Sequence, residues 1–354
     1  MIPQHWRDAA LAPPVAWGSG PIATGVLRVS PEDFRVDEVL GFEASGAGPH
    51  ALLTVRKRGA NTEWVARELA RAAGCKPFEV GFAGLKDRHA VTTQAFTIPR
   101  GKRAAEEFIG LAGEGYEVIA AAAHQRKLPR GALEGNRFDI TVRDVHCDAV
   151  QLRQRIEGLS SGGVPNYFGP QRFGRDGGNL LEVLRAAQRQ EAGTRGRGRP
   201  DRGFMLSAAR SLIFNAILAN RVERGSWNRL LPGDVANLDG RGSVFAVPLP
   251  DEELQRRCAA LEIHATAPLW GEGESLSTGE VRALEETVAE QFLQAQTAVR
   301  AERMNSERRS LRMRVRELTH EYDQDVLRLR FALPAGSFAT AVLREIIATA
   351  DSGE

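Results

Sequence analysis

Gly84-Leu85-Lys86-Asp87-Arg88-His89-Ala90 sets one carboxylate between two cations, with an imidazole two residues further on. Nearby positive charge favours the ionised form of a carboxylate. An aspartate kept ionised in this way can attack a carbon or shuttle a proton, and it can work beside a polyanion. Strand-like sequence follows at once, Val91-Thr92-Thr93-Gln94-Ala95-Phe96-Thr97-Ile98. The aspartate therefore occupies a loop that leads into a strand. A Lys-Asp-Arg turn alone is more often a solvated surface loop, so the rest of the chain has to decide.

The elements that would position this loop alternate between strands and helices. Gly25-Val26-Leu27-Arg28-Val29 reads as a short strand, and Phe34 to Val39 alternates apolar and charged residues as a half-buried strand does. His50 to Lys57 is a third strand candidate. A helix is expected from Thr62, as N-cap, to about Ala73, with Gly74 as its stop. In Gly135 to Arg143, Phe138, Ile140 and Val142 share one face, and Asn136 lies two residues earlier on that face. After a short helix around residues 148–159 comes a Gly/Pro-rich loop, Ser161 to Pro170.

Beyond it the pattern is mostly helical to about residue 308. Ser207 is expected to cap an apolar helix, and residues 278–303 to form one long amphipathic helix. Arg195-Gly196-Arg197-Gly198-Arg199 interrupts the pattern with a cationic, low-complexity run. Strand signals resume at Leu311 to Arg316 and Val326 to Phe331, and a final helix is expected from Ser337 to about Ala350. The fold class is α+β. Strand pairs at both ends can share one sheet. Residues 1–161 and 309–354 thus form one split domain, and residues 162–308 are an insertion into it. A substrate cleft is expected where the two meet.

Composition bounds the function. Of 354 residues 42% are hydrophobic, enough for a real core. The net charge of +2 hides basic stretches, which suit a nucleic-acid partner as well as ordinary solvated surface. Cys75, Cys147 and Cys258 are isolated, so neither a disulfide framework nor a zinc site is indicated, and no metal is expected. The first residues lack the apolar stretch of a signal peptide, and no uncharged apolar run is long enough to span a bilayer. A cytoplasmic protein with no membrane association is expected. No heptad pattern is visible, which points to a monomer without an obligatory protein partner.

Four longer segments carry a family resemblance. They are Ser-Pro-Glu-Asp-Phe-Arg-Val at 30–36, Gly-Phe-Ala-Gly-Leu-Lys-Asp-Arg-His-Ala-Val-Thr at 81–92, Leu-Glu-Gly-Asn-Arg-Phe at 133–138, and Val-Pro-Asn-Tyr-Phe-Gly-Pro-Gln-Arg-Phe-Gly at 164–174. Leu-Ser-Ala-Ala-Arg-Ser at 206–211 and Leu-Pro-Ala-Gly-Ser-Phe-Ala-Thr at 333–340 support them. In this order, over residues about 20 to 350, the chain resembles the bacterial tRNA pseudouridine synthase D (TruD) family. The resemblance implies a pseudouridine-synthase-type mixed sheet interrupted by a mainly helical TruD-type insertion domain. It implies isomerisation of uridine, at position 13 and chiefly in tRNA(Glu), without a cofactor.

By resemblance Asp87 is the catalytic carboxylate. Whether it attacks the ribose carbon or the uracil ring, or first promotes glycal formation, is not written in the sequence. Arg28 stands where the family supplies a cation to that carboxylate, often as Lys. Phe34 and Phe138 match aromatic positions of the uridine pocket, where a base taken out of its stack meets an aromatic face. Phe138 takes the place of a tyrosine common in other pseudouridine synthases, and its ring is expected to matter more for the base than for folding. Asn136 offers donors and an acceptor to an edge of uracil. Lys86, Arg88 and His89 are expected to meet phosphates or shape the loop, the imidazole being a weaker candidate for general base. Asn166, Tyr167, Gln171 and Arg172 are expected to contact RNA. A non-catalytic RNA binder on the same scaffold is the competing class, and a turnover assay separates the two. A methyltransferase lacks its glycine-rich cofactor turn. An aspartate-based hydrolase leaves the aromatic and basic motifs unexplained.

Overall fold

The computed structural model describes residues 1–192 and 202–351, so the Arg195–Arg199 run lies outside the described residues. The chain divides into two compact units. One, the sheet unit, holds Ile22–Ile156, Arg316–Gly336 and the residues from Ile347; the other, the helical unit, holds Met1–Pro21, Glu157–Val315 and Ser337–Ile346.

Eleven strands among the described residues make the single mixed sheet of the sheet unit. Its main path runs Arg316–Asp323, Val326–Pro334, Gly135–His146, Phe34–Val39, Val91–Pro99, His50–Arg58, Tyr116–His124, Ala112–Gly113. Phe34–Val39 and Val91–Pro99 lie parallel at its centre, with Arg35 beside Val91, and their neighbours are antiparallel. The loop that carries Asp87 therefore enters the middle of the sheet.

Register fixes what each face carries, because side chains alternate along a strand and paired residues share a face. On the inner face Ala51, Leu53 and Val55 are fully buried, and so are Phe96 and Ile98 across from them. Val65, Ala66, Leu69 and Ala70 of the helix Thr62–Ala73 cover this surface. The helix ends where Gly74 takes a left-handed φ of 68°, which a residue without a Cβ adopts at no steric cost. Toward the Asp87 loop the same face turns polar. Lys57 pairs with Thr92, Val55 with Gln94, and Glu38 with Asn136. Lys57, Thr92 and Gln94 are each no more than 1% exposed.

Two boundaries of this unit differ from expectation. The first strand is Ala23–Leu27, and it stops before Arg28. The segment Ile347–Asp351, expected within a helix, is a strand lying parallel to Ala23–Leu27. The helix before it is only Ala339–Leu343. Long-range pairing overrides local pattern here, and the β-branched pair Ile346-Ile347 suits a strand.

In the helical unit the apolar helix Arg202–Glu223 runs through the core, packed by Gln4–Leu11, Gly178–Glu191 and Leu293–Arg300. By length and composition Gly203–Glu223 could cross a membrane, but 67% of its apolar stretch is buried inside the protein. Helices dominate, as expected. An antiparallel sheet of Val244–Val247, Asp234–Leu238, Ile263–Leu269 and Glu307–Ser310 accompanies them, which the helical reading had not separated. The long helix expected over 278–303 is two, Gly279–Glu290 and Leu293–Arg300, broken where Phe292 leaves helical geometry at ψ 40° and buries its ring. Ser207 caps nothing: it sits inside the helix and accepts a hydrogen bond from Arg172 at 2.7 Å. Thr62 is likewise not the cap of its helix, a place taken by Asn61.

Candidate active site

Asp87 lies in the sheet unit at the head of the central Val91–Pro99 strand, its side chain 32% exposed. Arg28 donates from Nη2 to Asp87 Oδ2 at 3.2 Å and is itself 11% exposed. Its guanidinium carbon stands 4.5 Å from the centre of the Phe34 ring, a cation–π contact that holds the group in place. Arg28 has a left-handed φ of 57°. For a residue with a long side chain that conformation costs free energy and is kept where the surroundings demand it. It explains why the strand ends at Leu27.

The loop backbone is held at several points. Gln94 Nε2 donates to the carbonyl of Gly84 at 2.5 Å, and the hydroxyl of Thr62 accepts from the amide of Lys86 at 3.0 Å. Lys57 Nζ donates to the carbonyl of Asp87 at 3.0 Å. The Lys86 side chain turns inward, 7% exposed. Its Nζ donates to Asn136 Oδ1 at 2.6 Å and lies 2.8 Å from Oε2 of Glu38, which is 1% exposed. Lys86 thus ties loop to sheet and presents little of itself outward. Arg88 and His89 are exposed, Arg88 reaching the carbonyl of Gly59 at 3.3 Å.

Phe34 and Phe138 meet edge to face at 6.4 Å between ring centres. Phe138 is 8% exposed and stacks on Phe331 at 5.2 Å. Its ring therefore packs within the sheet face, between Phe34 and Phe331. Asn136 lies on the same face and commits its carbonyl oxygen to Lys86, leaving its NH2 group to donate.

The structure brings together Arg28, Phe34, Lys86, Asp87, Asn136 and Phe138. Asn166, Tyr167, Gln171 and Arg172 belong to the helical unit. There Arg172 and Arg309 both lie on the Phe168 ring, at 5.1 and 4.1 Å, and Arg309 donates to the side-chain oxygen of Asn166 at 2.5 Å. Burial, with repulsion from Arg172, brings the Arg309 guanidinium down to about 9. Tyr167 is 1% exposed, and burial pushes its phenol upward. Its ring is core and faces no solvent. Gln171 is exposed.

Sequence reasoning passed over Lys57, Glu38, Gln94 and Arg309. A signal existed for the first: Lys57 continues the row Ala51, Leu53, Val55, where a strand pattern calls for an apolar residue. For Glu38, two residues beyond Val36 on the buried face, the same reasoning applies. Arg309 had no local signal, because its neighbours Asn166 and Phe168 are more than a hundred residues away. Among the described residues no three His, Cys, Asp or Glu side chains gather as a metal site.

Comparison with known proteins bears on this arrangement. The family model "tRNA pseudouridine synthase D (TruD)" matches residues 17–190 and 201–346. The chain is similar to tRNA pseudouridine synthase D of Methylococcus capsulatus, 46% identical over 91% of each chain. The protein of the same name from Xanthomonas campestris is 45% identical over 92% of each. That of Nitrosococcus oceani is 44% identical over 95% of this chain and 94% of its own. Among solved structures, a TruD protein from Methanosarcina mazei matches with a TM-score of 0.70. It is 22% identical, and the match covers 97% of this chain and 98% of the other, which establishes the shared fold.

Proposed function

The chain belongs to the tRNA pseudouridine synthase D (TruD) family and is a tRNA pseudouridine synthase, and we propose that its target is uridine 13, chiefly in tRNA(Glu), and its catalytic carboxylate Asp87. The reaction is an isomerisation. The bond from ribose to N1 of uracil breaks, a bond to C5 forms, and the proton lost from C5 is balanced by one gained at N1. Nothing is oxidised or consumed, so the balance calls for no cofactor.

The observation that carries the assignment is the Arg28–Asp87 pair at 3.2 Å, beside Phe34 and on a loop fixed at several backbone points. A carboxylate so held can serve as nucleophile or as proton acceptor, and it leaves well from a covalent adduct. Arg28 orients it and balances its charge. A uracil drawn out of the tRNA stack meets the aromatic edge of Phe34 and Phe138, and the Asn136 amide donates to one of its carbonyls. Arg88 and His89, exposed on the same loop, meet backbone phosphates, while Lys86 acts through Asn136 and Glu38. The sheet unit is the catalytic domain, and the helical unit, to which residues 162–308 contribute most, is the RNA-binding domain. Within the latter, Gln171 and Arg172 contact RNA, and the buried Asn166 and Tyr167 support them through hydrogen bonding and packing. The enzyme works as a monomer in the compartment that holds tRNA, the cytoplasm.

Asp87→Asn keeps the shape and removes the charge. Assayed with unmodified tRNA(Glu), it is expected to bind RNA and form no pseudouridine. Turnover within about tenfold of wild type, a barrier change of only ~1.4 kcal/mol, would falsify the assignment. A transcript carrying cytidine at position 13 tests the target: undiminished pseudouridine in it would move the site elsewhere.

A further inference from the structure

Lys57 is a charged side chain at a place built for an apolar one. It follows Ala51, Leu53 and Val55 on the inner face of its strand, and it is 1% exposed. Among the described residues no carboxylate pairs with it at salt-bridge distance. Burying an ammonium is costly, and the nearby Asp87 carboxylate offsets that only in part, so the carbonyls it binds have to repay the rest. Its Nζ donates to three backbone carbonyls: Ala60 at 3.0 Å, Asp87 at 3.0 Å and Lys86 at 3.5 Å. An ammonium has three donors and no acceptor. The two loop carbonyls lie on either side of the Asp87 Cα, from which the side chain departs.

We propose that Lys57 is a positioning residue for the reaction, its ammonium clamping the Lys86–Asp87 backbone to the sheet so that the carboxylate meets Arg28 and the substrate in one geometry. The proposal rests on the reading of Asp87 as the catalytic carboxylate. Asp87 is then gripped at both ends, by Arg28 at its oxygens and by Lys57 at its main chain. Thr62 and Gln94 hold the adjoining backbone but carry no charge. The clamp works only with all three donors in place. A neutral amine has two donors, and its lone pair would face a carbonyl oxygen.

Titration gives the clamp a signature. Burial lowers Lys57 to about 8; the Asp87 carboxylate opposes the shift and the Lys86 ammonium adds to it. These are the charged groups of the loop packed against Lys57, while Arg56 and Arg58 on its own strand are exposed on the opposite face. The folded value lies below the ordinary lysine value of about 10.4, so the folded protein gives up this proton before the unfolded chain does. Between those two values rising pH relieves the burial cost, and the Lys57 contribution to stability increases. Catalysis should move the other way, because the third donor is lost.

The experiment measures single-turnover pseudouridine formation on unmodified tRNA(Glu) from pH 6.5 to 9, for the wild type, Lys57→Met, Lys57→Arg and Asp87→Asn, with tRNA affinity and thermal stability in parallel. The wild-type rate constant is expected to fall above about pH 8 while its stability does not fall with it. Lys57→Met is expected to lose roughly 10²-fold in rate at pH 7, the cost of misplacing a reacting group by about 1 Å, with tRNA affinity little changed and the alkaline limb gone. Lys57→Arg, which stays cationic across this range, is expected to recover part of the rate and to show no limb. A Lys57→Met rate within about threefold of wild type, or an alkaline limb that survives in that variant, overturns the proposal. If Lys57→Met does not fold, the wild-type profile still decides: a rate flat to pH 9 overturns the clamp. Asp87→Asn keeps the two readings apart. Its activity would remove the premise, whereas an inactive Asp87→Asn beside a normal Lys57→Met would remove only the clamp.

Discussion

Arg28 reaches Asp87 from a backbone that is itself left-handed, at φ 57°, with its guanidinium over Phe34 on the way. Strain, cation–π contact and ion pair thus meet in one residue. Neither partner of the pair is fully exposed, so solvent screens it less than a surface salt bridge.

Arg28→Met should therefore lower the rate of pseudouridine formation about 10–100-fold, in keeping with ~1.5–3 kcal/mol for a hydrogen bond to a charged group. Arg28→Lys restores a cation without the fork and should fall between the two. The check is single-turnover rate beside tRNA affinity. A methionine variant that loses affinity and keeps its rate would place Arg28 in RNA binding instead.

Phe138→Ala should cost both folding and activity. The ring stacks on Phe331 and abuts Phe34, and loss of a buried phenylalanine ring costs about 3–5 kcal/mol. In a protein of this size the melting temperature should drop by several degrees. An unchanged melting temperature together with lost activity would mean that the ring serves the base alone.

Acid should destabilise the sheet unit through two aspartates. Burial raises Asp33, but the hydrogen bonds from Arg143 and from the Ser30 amide outweigh it and leave it below the ordinary range. Asp139 is lowered first by its hydrogen bond to Arg328, against burial. A lowered folded value means that the stabilisation is present above the unfolded value near 3.9 and is lost as pH falls through the folded one. Asp33→Asn and Asp139→Asn should each melt below wild type at pH 6, with the gap closing toward pH 2.5. A gap of constant size across that range would remove charge from the explanation.

What the sequence revealed depended on the distance over which each feature is determined. The Asp87 loop and the helix Thr62–Ala73 could be found because each is written in a short run of residues, whereas Arg28 was identified only through the family resemblance. The break at Phe292 and the strand Ile347–Asp351 could not, since each is decided by what packs or pairs beside it. Lys57 was legible and was passed over. Its strand was recognised as a strand without counting which face the lysine falls on, and the same count would have flagged Glu38.

The pairing of Ile347–Asp351 with Ala23–Leu27 has a consequence for how the protein comes into being. The strand that delivers Arg28 acquires its second neighbour only from residues the ribosome makes more than three hundred positions later. Until then Ala23–Leu27 has Gly135–His146 alone beside it. The pairing beside the strand that leads to Arg28 is in this way completed only by residues far downstream of it.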